Sequence, residues 1–241
     1  MICSPLRSGI VGEMETFTKR NPAPLEAAGL RWLAAAGARV PRIVSESAAE
    51  LVLERVPPGA LSAAGEEELG RMLAQMHAAG APRFGSLPAP GRFLVGACEL
   101  PSPEGDDWND YYLHHRCLPL ARRVGLEREV ASVRVDAPAE PPARLHGDLW
   151  SGNLLADSAG RPWLIDPAAY GGHREVDLAM LELFGRIPSR TIAAYHEVTP
   201  LADGWTDRIG LWQLFPLLVH AVLFGGGYLA QAAGVARGLR A

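Results

Sequence analysis

The chain has 241 residues, 48% of them hydrophobic and 21% charged, and a formal net charge of −4. That length buries a large core, as one big domain or two small lobes. The charge balance lacks the polycationic footprint of a nucleic-acid binder. Three widely spaced cysteines, Cys3, Cys98 and Cys117, form neither a disulfide framework nor a C-x-x-C metal site, which fits a reducing cytoplasm.

The opening MICSPLRSG lacks the apolar core of a signal peptide. Gly9 and Gly12 stand where a glycine-rich turn would be sought, and only six residues separate Gly12 from Lys19. Residues 16–19 read as a strand from their β-branched and aromatic content. Lys19 is the only lysine among 23 basic residues. A lysine retained in so arginine-rich a chain points to chemistry that a guanidinium cannot replace. Leu25, Leu30 and Leu33 then recur at helical spacing, with Gly37 and Pro41 closing the helix and Glu26 in its first turn. Residues 42–44 and 50–54 are short strands. The run ERVPPG at 54–59 is the expected hinge, dividing a lobe at 1–56 from one at 57–241.

Residues 66–79 predict an amphipathic helix with Leu69, Met72, Leu73 and Met76 on one face, and His77 near its end reads as a packed or capping histidine. Residues 80–106, rich in Gly and Pro, read as a loop. A helix is expected from 107 through 120. Its neighbours His114 and His115 point about 100° apart and cannot share a metal. Residues 209–230 approach bilayer length, but Gln213, Pro216, His220 and three successive glycines interrupt them, so a buried core helix ending near Gly225 is expected and no membrane span.

The richest stretch is LHGDLWSGNLLADSAGRPWLIDPAAYGGHREVD, residues 145–177. Residues 153–155 and 163–165 read as strands joined by the turn-like DSAG at 157–160. Such a hairpin brings Asn153 and Asp166 together at its open end, with Asp148 just upstream. One carboxylate to orient a hydroxyl and take its proton, and two hard oxygen donors for Mg²⁺, are the parts phosphoryl transfer needs. The order of roles matches the protein-kinase pattern H-R-D-x-x-x-x-N followed by D-F-G. Asp148 suits the base, and Asn153 and Asp166 suit the metal. Trp150, beside the base, offers a flat indole face for a sugar ring.

HGDLWSGN, LIDPAAYGGHREVDLAM and LFGGGY together resemble the fructosamine kinase (ketosamine-3-kinase) family, within the larger group of aminoglycoside- and choline-kinase-like enzymes. The resemblance covers most of residues 17–230 and is weakest at the N-terminus and around 84–105. It implies an α+β, protein-kinase-like two-lobe fold, with a small, shortened β-rich N-lobe and a mainly helical C-lobe. It implies ATP and Mg²⁺ as cofactors, with Lys19 on the α- and β-phosphates and Glu26 pairing with Lys19. Gly9 and Gly12 would belong to the phosphate loop, where the short spacing leaves the second strand of the usual hairpin missing or merged with the next. Backbone groups around Glu54 and Val56 would read the adenine edge. The acceptor implied is the 3-hydroxyl of a ketosamine or glycated amine, with the 170–175 loop, Glu175 included, walling one side of its site. Asp177 either ties the catalytic loop from behind or is an ordinary first-turn acid. Two rivals remain at this level: a kinase of the same group acting on an aminoglycoside, choline or another alcohol, and a degenerate kinase that binds without turnover. The oligomeric state, monomer or homodimer, has no signature in the sequence.

Overall fold

The computed structural model describes residues 7–11 and 14–240, with side chains from Glu15 onward. Strands β1 (Arg7–Val11) and β2 (Met14–Arg20) form an antiparallel hairpin, Gly9 opposite Thr16. Helix α1 (Glu26–Ala34) follows, then β3 (Ile43–Glu46) and β4 (Glu50–Glu54). The four strands make one antiparallel sheet in the order β1-β2-β4-β3. Its small core is Leu30 of α1 against Leu51 and Leu53 of β4.

Helix α2 (Ala63–Ala78) starts at Ser62, whose hydroxyl caps the Gly65 amide. Its apolar face, with Leu69, Met72, Leu73 and Met76, is buried together with Leu33 and Ala38 from α1 and the turn after it. Helix α1 therefore packs on both sides of the expected hinge. The segment read as a loop at 80–106 contains a hairpin, β5 (Phe93–Val95) and β6 (Cys98–Leu100). Three-residue strands turning at Gly96, with φ of +57°, are too short for an alternating pattern to stand out among glycines and prolines.

The helix expected from 107 is built as α3 (Trp108–Tyr111), a π-helical turn (Tyr112–Cys117) and α4 (Leu118–Val124). After α5 (Glu127–Ala131) the chain enters β7 (Ala143–Leu145). Strands β8 (Leu154–Ala156) and β9 (Pro162–Leu164) form the anticipated hairpin. At its turn the Asp157 carboxylate accepts the Ala159 and Arg161 amides. Strand β10 (Tyr170–Gly172) returns to pair with β7. Helices α6 (Glu175–Leu183), α7 (Ser189–Val198), α8 (Ile209–Phe224) and α9 (Gly226–Gly238) complete the molecule. Gly225, with φ of +62°, breaks the long apolar run between α8 and α9. Among the described residues no helix is long and apolar enough to cross a membrane.

Candidate active site

The site begins with a close crossing of backbone. Gly147 has φ of +80°, and a Cβ there would lie 2.1 Å from the Ala168 carbonyl oxygen. Only glycine lets the chain pass between His146 and Asp148 this near to the 166–170 run. Burial pushes the His146 imidazole below its ordinary range, so it is neutral. Its Nε2–H donates to the Ile165 carbonyl at 2.9 Å, which leaves Nδ1 to accept the Asp148 amide at 3.3 Å. One ring thus joins the Asp148 loop to the residue preceding Asp166.

Asp177, in the first turn of α6, is fully buried. Its Oδ2 accepts the His146 amide at 2.7 Å and its Oδ1 the Gly147 amide at 2.9 Å. Of the two readings open for this residue, the tie behind the loop is the one its contacts support. Burial alone would raise its carboxyl, but the hydrogen bonds from His77 and from the Gly147 amide help to outweigh that and hold it below its usual range.

Asp148 extends from this clamp. The Asn153 amide Nδ2 donates to its carbonyl at 2.8 Å and to its carboxylate at 3.2 Å. Burial raises the Asp148 carboxyl to about 7 against that hydrogen bond, with Asp166 and Asp177 adding to the rise. The Ile165 amide donates to the Asn153 carbonyl at 3.0 Å, closing the open end of the β8–β9 hairpin beside Asp166. Asp166 holds φ of +56° directly before Pro167. Non-glycine residues rarely adopt that backbone, and a following proline disfavours helical conformations further; such strain collects at functional sites.

From the sheet, Lys19 reaches this point. Its Nζ lies 2.9 Å from Asp166 Oδ1 and 2.7 Å from Glu26 Oε1. Burial would lower the ammonium, but the two carboxylates outweigh it and hold Lys19 above its ordinary value. Gly29, one turn after Glu26, would place a Cβ 3.2 Å from Pro167 Cγ. The helix carrying Glu26 therefore rests on the residue after Asp166. At the expected hinge, the Glu54 amide is bonded to the Arg42 carbonyl, and among the described residues no backbone hydrogen bond ties Val56.

Other expected residues lie elsewhere. Gly9 is a strand residue of β1, not part of a loop, and Gly12 falls outside the described residues. Glu175 does not wall an open site. It is 1% exposed, with its oxygens 2.6 and 2.9 Å from the Arg208 guanidinium and one of them 2.8 Å from Trp212 Nε1. That carboxylate has no free face, because Arg208, 33 residues on, packs over it.

Trp150 donates its amide to the Asp148 carbonyl at 3.1 Å. Its ring folds over Gly152, where a Cβ would clash at 2.2 Å, and meets Phe184 edge-on at 6.0 Å. Sequence reasoning missed what continues from it: Phe184 to His220 at 5.1 Å, then His220 to Phe224 at 5.6 Å and to Tyr228 at 4.9 Å. Phe224 is 50% exposed. The available signal was the pair of aromatics flanking the glycines of LFGGGY.

Among the described residues no group of three or more His, Cys, Asp or Glu side chains converges as a metal cage. The hairpin offers one carboxylate, Asp166, and one amide, Asn153, whose Nδ2 is turned to Asp148 so that Oδ1 is its remaining donor. One or two hard oxygens completed by phosphates and water are the set Mg²⁺ takes. The residues fit that ion.

Residues 16–240 match the profile of the fructosamine kinase family. The chain belongs to that family. A relative in Synechocystis sp., named "Probable ketoamine kinase", is 38% identical over 92% of this chain and 81% of its own length. A solved structure from Thermobifida fusca, described as a "putative fructosamine-3-kinase", is 35% identical, with a TM-score of 0.84 over 97% of this chain and 92% of that one. An aminoglycoside-3'-phosphotransferase of type VIII shares the fold alone, at 21% identity and a TM-score of 0.58 over 88% of each chain. This fructosamine kinase family member is a phosphotransferase with the α+β, kinase-like two-lobe fold.

Proposed function

We propose that the chain transfers the γ-phosphoryl group of ATP to the 3-hydroxyl of a ketosamine, a sugar joined to an amine by glycation. The observation that carries this reading is the convergence of Lys19, Glu26 and Asp166 within 2.9 Å at the open end of the hairpin that also holds Asn153 to Asp148. Residues 1–56 form the nucleotide side and 57–241 the acceptor side, with Val56 and the strand before it toward adenine. Lys19 is positioned by Glu26 to hold phosphate oxygens. Asn153 Oδ1 and the Asp166 carboxylate would hold Mg²⁺, which would supply positive charge to offset that of the nucleotide phosphates.

Asp148 accepts a hydrogen bond from the acceptor hydroxyl, aims its oxygen and takes the proton as that oxygen attacks phosphorus. The Asn153 bond keeps one carboxylate oxygen engaged and leaves the other for the hydroxyl. Trp150 gives the sugar a ring face. The rings from Phe184 to Tyr228 extend that face toward the amine half of the adduct, whose protonated nitrogen is suited to aromatic surfaces.

ATP consumption is measured with Mg²⁺, with and without fructosyl-lysine, for the wild type and Asp148→Asn. Ketosamine-dependent turnover that falls by about 10²–10⁴-fold in the variant, with ATP affinity kept, is expected. Unchanged turnover in Asp148→Asn would sink the base, and wild-type turnover only with another alcohol would replace the acceptor.

A further inference from the structure

Arg116, in the π-helical turn between α3 and α4, is fully buried. Among the described residues it pairs with no carboxylate. Its Nη1 donates to the Pro101 carbonyl at 3.1 Å and to the His115 carbonyl at 3.3 Å, and its Nη2 donates to the Ser102 hydroxyl at 3.1 Å. Three rings close around the guanidinium, with centroids 4.4 Å away for Tyr170, 4.5 Å for Phe93 and 4.9 Å for Tyr111. A cation taken out of water without an anion is held by carbonyl dipoles and ring faces. The segments that supply those groups are drawn together by the charge they stabilise.

Those segments are the β5–β6 hairpin and the strand downstream of Asp166. Phe93 opens β5, and Pro101 and Ser102 follow β6, so one guanidinium grips both legs of the hairpin at its base. Tyr170 opens β10 and meets Phe93 edge-on at 5.3 Å. Ser102 donates its hydroxyl to the Gly85 carbonyl at 2.8 Å, and Gly171 exchanges 2.8 Å backbone hydrogen bonds with Gly85 and Ser86. From this base the hairpin reaches both ends of the site. A Cβ on Gly91, just before β5, would lie 2.7 Å from Cδ2 of Leu25, the residue preceding Glu26. At the turn, a Cβ on Gly96 would lie 3.2 Å from Cδ1 of Leu223, the neighbour of Phe224. Glu26 stands at the Lys19 end, and Phe224 at the outer end of the ring surface. The chain from Gly91 to Gly96 spans at most about 18 Å, so the hairpin crosses from one end to the other in a single stretch.

We infer that the β5–β6 hairpin is a wall of the acceptor site and that Arg116 is the positioning residue that sets it there. Arg116 touches neither nucleotide nor acceptor, and acts on the hairpin through Phe93, Pro101 and Ser102. The inference rests on the ring surface facing the acceptor, as proposed above. A wall fixed in advance costs nothing to order when the acceptor arrives, whereas a loosened one must be ordered at each binding event. The effect of losing the anchor therefore falls on acceptor affinity and spares the phosphate end.

The test compares wild type, Arg116→Met, Arg116→Lys and Leu223→Ala in kcat, KM for ATP, KM for fructosyl-lysine and hydrogen exchange of residues 93–100. A buried cation replaced by an apolar chain of similar length often leaves a protein folded. Arg116→Met is expected to raise KM for fructosyl-lysine about tenfold, with kcat and KM for ATP within about twofold. Exchange should quicken in the β5–β6 hairpin and not in β8–β9. Arg116→Lys keeps a cation among the rings but cannot fork to Pro101 and Ser102 together, so about a threefold rise is expected. Leu223→Ala, which frees only the tip, should also give about threefold. An unchanged KM for fructosyl-lysine in a folded Arg116→Met protein overturns the inference. So do equal losses in kcat and both KM values with exchange quickened throughout, because that is general destabilisation. Should Arg116→Met fail to fold, an unchanged KM for fructosyl-lysine in both Arg116→Lys and Leu223→Ala overturns it. A wild type that turns over another alcohol in place of ketosamines would sink the proposed acceptor, and the same comparison is then read on KM for that alcohol.

Discussion

The loop around Asp148 and the ring surface leading away from Trp150 are neighbours held by different physics. In the loop, Asp177, His146 and Asn153 supply four hydrogen bonds to backbone groups between 146 and 148 at 2.7–3.3 Å. Along the ring surface, Trp150, Phe184, His220, Phe224 and Tyr228 meet through contacts with centroids 4.9–6.0 Å apart. Hydrogen bonds fix direction to within a narrow angle, whereas ring contacts tolerate sliding. The loop is thus built to hold one geometry, and the ring surface, which we propose faces the acceptor, to accept several shapes.

The strongest way to break that contrast is Gly147→Ala. A methyl 2.1 Å from the Ala168 oxygen must displace the loop by about 1 Å, and kcat should fall by about a hundredfold with the ring surface untouched. A rate within twofold of wild type would show that the loop slides as freely as the rings. Next comes Lys19→Arg. A planar guanidinium cannot seat one point charge between Glu26 and Asp166, so KM for ATP is expected to rise on the order of tenfold while KM for the ketosamine holds. Phe224→Ala should act on the other half alone, raising KM for a ketosamine with a bulky amine by about fivefold, from ~1 kcal/mol of ring contact, and leaving a fructosyl-methylamine substrate unaffected.

The smallest effect is on stability and is read through pH. The folded state raises Asp148 to about 7 from 3.8, so it binds that proton more tightly than the unfolded chain does. The associated stability is complete below about pH 4 and is lost as pH rises through 7. The Tm of Asp148→Asn minus that of wild type, without nucleotide or metal, should therefore grow from pH 5 to pH 8. A flat difference would place the Asp148 carboxyl in a solvated setting.

Much of this arrangement was readable in the chain because it is local. Asp148, Asn153 and Asp166 share one hairpin, and Leu154 pairs with Leu164 in the register that the two apolar triplets suggest. The Lys19–Glu26 contact spans seven residues, one strand end and one helix start. What was not readable depends on distance in sequence. Glu175 looked like a loop acid because Arg208 could not be assigned to it. His77 looked idle because Asp177 lies 100 residues away and Tyr195 118. The β5–β6 hairpin and the π-helical turn at 112–117 were missed for another reason: three-residue strands and one widened helical turn leave almost no periodicity to detect.

The single lysine has a consequence for the protein's own durability. Amines attack the carbonyl carbon of sugars only in their unprotonated form, and a protein usually presents many lysine amines to them. Here the sequence has one, its side chain is 16% exposed, and two carboxylates keep it protonated. A chain whose family acts on sugar-modified amines thus offers no exposed lysine of its own to the same damage. Prolonged incubation with glucose should leave Lys19 unmodified by mass spectrometry, and Glu26→Gln, which removes one of its two counter-charges, should be the change that exposes it.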